Sequence, residues 1–275
     1  MADTPLKLRS WLSPGIRNEV FVGLVRHISE CIGREISLDF CDKASGPTAL
    51  RNPFETGEVD LGWMCSTAFI ELSSVTLIEA AWIPNEEAAL GEPQYFSDLF
   101  CPGKEIQSVT DLKGLSLGCN DPLSLSGYHA LRITLEKLGH RLEDFVEVVF
   151  TGGHLDSIRA LELKSVDAIV VDSITAIVER PHYKPNLRLG PWPTQPLVAS
   201  QTLEPSIQNA ILDALLCAEE NPKLKATLNS CGIQRFGRIT AAAYAPLVTY
   251  ATHQLPEKRG SEAIKKDMKM VEKTL

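Results

Sequence analysis

Gly57-Glu58-Val59-Asp60-Leu61-Gly62-Trp63-Met64-Cys65-Ser66 finds an echo further along the chain in Lys164-Ser165-Val166-Asp167-Ala168-Ile169-Val170-Val171-Asp172-Ser173. In each copy a helical stretch leads to a Val-Asp pair, an apolar strand follows, and small polar residues stand at its carboxyl end. Open α/β sheets bind ligands just beyond such strand ends. Two pseudo-equivalent ends would put Cys65-Ser66-Thr67 and Asp172-Ser173 across one cleft. The echo predicts an α/β protein built as a two-lobed clamshell, with a mostly parallel sheet in each lobe.

The flanking sequence fits that rhythm. Leu6 to Leu12 reads as a strand ended by Ser13-Pro14-Gly15, and Val20, Phe21, Leu24, Val25, Ile28 and Ile32 then recur at helical spacing up to Gly33. Strands are predicted over Glu35 to Phe40, Val59 to Met64 and Val75 to Trp82. Pro84 to Gly114 and Pro181 to Pro196 are rich in turn-forming residues and read as crossovers. Between them lie strands over Leu115 to Cys119, Val146 to Phe150 and Val166 to Val171, with helices over Tyr128 to Leu138 and Leu155 to Leu163. Pro196 to Ser200 rejoins the first sheet, and the remainder reads as helical, with a solvated Lys/Glu-rich end from Glu257. Residues 1–84 and 196–275 thus form a discontinuous first lobe and 111–184 the second, with hinge segments at 85–110 and 185–195.

Bulk composition narrows the partners. Hydrophobic residues make up 44% and charged residues 23% of 275, ordinary for a globular protein. A net charge of −8 argues against a nucleic-acid backbone, which needs a dense Lys/Arg surface, but a small anion needs only local N–H groups and hydroxyls. No apolar run is long enough to span a bilayer. The opening residues Met1 to Leu8 hold no secretory signal, so a cytoplasmic protein is expected, or a periplasmic one if a leader has been removed. Seven scattered cysteines without a CxxC pair suit buried thiols in a reducing compartment, and no metal or cofactor is expected.

The sharpest local feature is Asn120-Asp121-Pro122-Leu123-Ser124-Leu125-Ser126-Gly127-Tyr128-His129, which follows a strand and opens a helix. Hydroxyls and unpaired N–H groups at a helix N-terminus seat an anion, helped by the positive end of the dipole. Ser124 or Ser126 would equally serve as a plain N-cap. Phe150-Thr151-Gly152-Gly153-His154 repeats the strand-to-helix turn, and His154 could donate to an anion or cap its own helix. At the first such turn Trp11, Ser13 and Arg17 could pack on, hydrogen-bond or pair with a ligand. The alternative is a core indole and a solvated arginine. Ser45, in Lys43-Ala44-Ser45-Gly46-Pro47, is a similar candidate, and Trp63 is either core or a cleft wall. Cys65 is a reactive thiol or a buried inert one. There is no GxSxG, P-loop, HExxH or GxGxxG signature, and no spacing shows a nucleophile–base pair.

Three segments carry a family resemblance across roughly residues 6 to 255. Asp121 to Tyr128 resembles a D-P-x-S-T-S-G turn. Phe150 to His154 with Val166-Asp167-Ala168 resembles G-S-H…V-D-A, and Gly57 to Trp63 resembles G-x-I-D-x-x-W. These are similar to the phosphate/phosphite/phosphonate-binding components of ABC transporters, which have the type II periplasmic-binding-protein fold. The resemblance implies oxyanion contacts from Ser124, Ser126, Gly127 and the N–H of Tyr128, and a ligand-contacting His154. It also implies an acidic Asp172 able to meet a ligand amine, and an ABC permease as partner. The family's central Thr is Leu125 here, which leaves the seat one hydroxyl short.

The expected function is binding of a small anionic metabolite (phosphonate- or phosphate-like, or a carboxylate) between the lobes as they close, without catalysis. Two alternatives remain open on the same scaffold: a cytoplasmic enzyme, with His154 and Asp172 or Cys65 as the groups to test, and an intracellular metabolite sensor.

Overall fold

The first strand, β1 (Leu6–Ser10), alternates buried and exposed residues and sits between two parallel neighbours, β2 (Ile36–Phe40) and β3 (Leu61–Trp63). This is a computed structural model, and it describes residues 4–12, 16–41 and 53–251. Helix α1 (Asn18–Ile32) links β1 to β2, burying Val20, Phe21, Leu24, Val25 and Ile28 on one face. It stops at Gly33, whose φ of 66° is the left-handed C-cap that glycine adopts without a Cβ penalty. After β3 comes the short α2 (Ser66–Phe69).

Sequence predicts one strand over Val75 to Trp82, and the structure divides it. β4 (Val75–Leu77) ends where Ile78 N–H donates to Leu197 O at 3.0 Å, and β5 (Ala80–Pro84) then leaves for another sheet. The first sheet runs β2-β1-β3-β11-β4, with β11 (Leu197–Ser200) antiparallel to both β3 and β4. β5 pairs instead with β12 (Ile233–Arg238), a strand inside the region expected to be helical. Around β12 lie α6 (Pro205–Leu216) and α7 (Pro222–Ser230), each opened by a proline, and α8 (Ala245–Ala251).

A second sheet repeats the plan. β7 (Ser116–Cys119) lies between parallel β8 (Glu147–Phe150) and β9 (Ala168–Asp172). The stretches read as crossovers hold its remaining strands, β6 (Gln94–Phe100) and β10 (Leu187–Pro193), in the order β10-β6-β9-β7-β8. β6 runs antiparallel to β9, as β11 does to β3. The helical segments are a turn over Leu125–His129 continuing into α3 (Ala130–Lys137), then α4 (His154–Glu162) and α5 (Ser173–Glu179). The α/β class read from the sequence stands, with three adjacent parallel strands on one side of each mixed sheet.

Each five-stranded sheet lies mainly in its own compact unit, and the β5–β12 pair belongs to the first. Among the described residues the first holds 4–95, Ile177–Glu179 and 191–251, and the second holds Phe96–Ala176 with Arg180–Gly190. Along β9, Ala168 and Val170 pack with Leu117, Tyr128 and Leu131 on one face, while Ile169 and Val171 pack with Ile158 and Leu161 on the other. A strand covered on both faces reads as a continuous apolar run, as Ala168 to Val171 does.

The sequence echo has a physical basis. Asp60 Oδ2 accepts the Lys7 N–H at 2.8 Å, and Asp167 Oδ2 accepts the Ser116 N–H at 2.9 Å. Both aspartates thus clip the entrance of the middle one of the three parallel strands of their sheet and set the register of the strand beside it. The Ser116 N–H and hydroxyl hold the Asp167 carboxyl below the ordinary range.

Candidate functional site

In the second unit β7 delivers the chain to Asn120, which is 3% exposed. Asp121 turns it: its Oδ1 accepts the Leu123 N–H at 2.8 Å and its carbonyl takes the Ser124 N–H at 3.1 Å. Ser124 is the N-cap, with extended backbone and its Oγ accepting the Gly127 N–H at 3.0 Å. The turn that follows is wider than an α-helix. His129 N–H reaches back five residues to Ser124 O at 3.0 Å, and Ala130 N–H reaches Leu125 O. Such π-turns recur at functional sites.

Asn120 accounts for the widening. Its N–H donates to Gly127 O at 3.2 Å, its Nδ2 to Ser124 Oγ at 3.4 Å, and its Oδ1 accepts from Ser157 Oγ at 3.3 Å. A Cβ on Gly127 would stand 2.7 Å from both Nδ2 and Oδ1 of Asn120. Glycine is required there by close approach, not by backbone conformation.

The turn after β8 is tied to the same place. Thr151 N–H donates to Cys119 O and Gly152 N–H to Asn120 O, each at 2.8 Å, and Thr151 Oγ1 lies 2.7 Å from Ser157 Oγ. Within this turn Gly152 has a φ of 105°. His154 opens α4 and meets the end of β9: its Nδ1 accepts the Asp172 N–H at 3.3 Å, so Nε2 carries the proton toward Asp172 Oδ2 at 3.0 Å. Asp172 Oδ1 accepts the Thr175 N–H at 2.6 Å and caps α5. Burial pushes this carboxyl up, but the imidazole and Thr175 outweigh it and hold it below the ordinary carboxylate range.

The structure thus gathers Ser124, Ser126, Gly127, His154 and Asp172 at the carboxyl ends of β7, β8 and β9. Ser126 is 2% exposed, and no hydrogen bond engages its hydroxyl among the described residues. The Gly127 N–H is taken by Ser124, and both ring nitrogens of His154 are taken by Asp172. Tyr128 is fully buried, its hydroxyl donating to Glu143 at 3.1 Å. Beside it His129 accepts from Arg132 Nε at 3.1 Å. Burial first, and the Arg132 charge second, push its pKa down to about 3.

The remaining candidates lie in the first unit. Trp11 follows β1, packs 5.9 Å from Phe54 and holds a buried indole N–H with no partner among the described residues. Ser66 donates to Pro193 O at 3.0 Å, and Cys65 accepts from Thr67 Oγ1 at 3.3 Å. Arg17 pairs with Glu179 at 3.1 Å, and Trp63 stacks on Trp82 in the core. Ser13 and Ser45 lie outside the described residues, as does the stretch from Glu257.

Sequence reasoning passed over four polar groups here. Asn120 and Thr151 stand inside the two quoted turns, where their position right after a strand is the available signal, and Ser157 lies three residues beyond the second, in α4. Ser97, opposite Asp172 across the β6–β9 ladder, is fully buried with a hydroxyl that has no partner among the described residues. Next to it Arg188 grips Asp98 through two 2.7 Å bonds, while burial keeps the Asp98 carboxyl above the ordinary range. All three lie in stretches read as crossovers.

Solved structures place the fold among known ones. A binding-protein component of an ABC phosphonate transporter from Pseudomonas aeruginosa is similar, with TM-score 0.73 and 18% identity over 99% of this chain and 96% of that one. PhnD1 from Prochlorococcus marinus, in complex with methylphosphonate, gives TM-score 0.73 and 15% identity over 88% of this chain and 95% of that one. The aliphatic sulphonate binding protein SsuA from Escherichia coli gives 0.62 and 16%, over 94% of this chain and 95% of that one. No curated protein matches the chain. No helix among the described residues is long and apolar enough to cross a membrane. Residues 10–244 match the family described as ABC transporter, phosphonate, periplasmic substrate-binding protein, and the chain belongs to that family.

Proposed function

We propose that this chain is a solute-binding protein whose second unit seats a small oxyanion, of phosphonate, phosphate or carboxylate type, on the Ser124–Gly127 turn. The observation that carries this reading is Ser126: a residue only 2% exposed whose hydroxyl makes no hydrogen bond among the described residues, at the positive end of a helical segment. Ser124 Oγ already accepts from Gly127 N–H and Asn120 Nδ2, so its own proton remains for an outside acceptor. Leu125 is fully buried and adds no hydroxyl. Two hydroxyls therefore serve the anion, and His154 with Asp172 braces the strand ends beneath it. The family's description supports a periplasmic setting over the cytoplasmic one expected from the opening residues, with a permease as partner.

The test is a thermal-shift series with phosphate, methylphosphonate and acetate on the parent and on Ser126→Ala. Ligand at a hundredfold its Kd stabilises by about 2.7 kcal/mol, a rise of several degrees. Loss of one hydrogen bond to a charged ligand is about 1.5–3 kcal/mol, so Ser126→Ala weakens binding at least tenfold. A parent that responds to no oxyanion, or a variant with an undiminished shift, overturns the seat.

A further inference from the structure

His27 and Cys31 are four residues apart on α1, so they share one helical face. Cys217 ends α6 and lies against the same face. Its Sγ is 3.9 Å from His27 Nε2, and Cys31 Sγ is 3.8 Å from Nε2 and 4.0 Å from Nδ1. One ligand-type atom from each of the three lies within 4.8 Å of the other two. The imidazole is already oriented: Nε2 donates to Ala214 O at 2.8 Å, which leaves the Nδ1 lone pair for a ligand. Metal-binding histidines are commonly held through their second nitrogen in this way. Access is open, since His27 is buried, Cys217 half-buried and Cys31 exposed.

We propose that His27, Cys31 and Cys217 bind one thiophilic cation, Zn²⁺ or Cu⁺, with a further position left to water or an added ligand. Two thiols and an imidazole are the donor set that selects these ions over Mg²⁺ or Ca²⁺. Metal bonds of about 2.3 Å to sulfur and about 2.0 Å to nitrogen place donors roughly 3.5 Å apart. Cys31 Sγ, 4.0 Å from Nδ1, is close to that already, and Cys217 Sγ, which rests beside Nε2, has to turn toward the Nδ1 side; rotation of the two cysteine side chains supplies the closure. Burial and the adjacent Cys217 hold the Cys31 thiol above its ordinary range, so binding displaces thiol protons into solvent. The site lies wholly in the first unit and is independent of the oxyanion seat.

The experiment uses the full chain, reduced and stripped with a chelator, then titrated with Zn²⁺ against a chromophoric chelator and with Co²⁺ as a spectroscopic substitute. One equivalent of Zn²⁺ binds, and Co²⁺ develops a thiolate charge-transfer band. Cys31→Ser and Cys217→Ser each lower the affinity at least tenfold while circular dichroism and the oxyanion response stay unchanged. Five other cysteines remain in every variant, so Zn²⁺ uptake that is the same in the serine variants overturns the proposal. So does a Co²⁺ complex without the band, or a Cys31–Cys217 disulfide that forms in place of metal binding.

Discussion

Gly127→Ala sets two effects of opposite sign against each other. Gly127 lies in a helical turn and not in the left-handed region, so alanine is conformationally welcome and by propensity alone stabilises by up to about 1 kcal/mol. Its Cβ would meet Asn120 Cγ, Nδ2 and Oδ1, however. Asn120 has little room to yield, because Gly127 O, Ser124 Oγ and Ser157 Oγ all hold it. Overpacking costs about 1–3 kcal/mol, and a buried partner left unsatisfied about 1–3 kcal/mol more. Sterics win, with a net loss of about 1–6 kcal/mol. All four tryptophans lie in the first unit, so indole fluorescence is blind to this change. Amide hydrogen exchange by mass spectrometry, on peptides covering residues 116–137, reads the second unit directly. The variant should exchange there at least fivefold faster than the parent, with first-unit peptides unaltered. Exchange equal to the parent's, or slower, would mean that Asn120 does not fill the space under Gly127.

Acid should weaken the second unit through His129. Its folded pKa is depressed from 6.5 to about 3, so the unfolded chain binds the proton first. The stability is present above pH 6.5 and is lost as pH falls toward 3, about 2 kcal/mol of it by pH 5. Urea unfolding at a series of pH values should show that slope in the parent and a flatter one in His129→Gln; identical slopes would refute the assignment. Trp11→Phe keeps a ring against Phe54 and removes the orphan indole N–H. Without ligand the variant should be at least as stable as the parent, because a buried unsatisfied donor costs about 1–3 kcal/mol. A clear drop in its melting temperature would show that the N–H has a partner after all.

Local patterning was enough for much of this protein. The α/β rhythm, the paired Val-Asp strands and the two turns at Asn120 and Phe150 are written in periodicity and in the residues just after each apolar run. Such signals depend only on neighbours in sequence. Asp60 and Asp167 were visible as an echo, although their work of clipping Lys7 and Ser116 was not. What only the tertiary structure decided is pairing between distant segments. β6 and β10 hide in stretches that read as crossovers, β12 in a stretch that reads as helix, and β4 parts from β5 because Leu197 captures Ile78. His154 turns from a free donor into the partner of Asp172, and Cys217 joins His27 and Cys31, by the same route. Hydrogen-bond satisfaction and burial set these meetings across the folded chain, and no spacing along it records them.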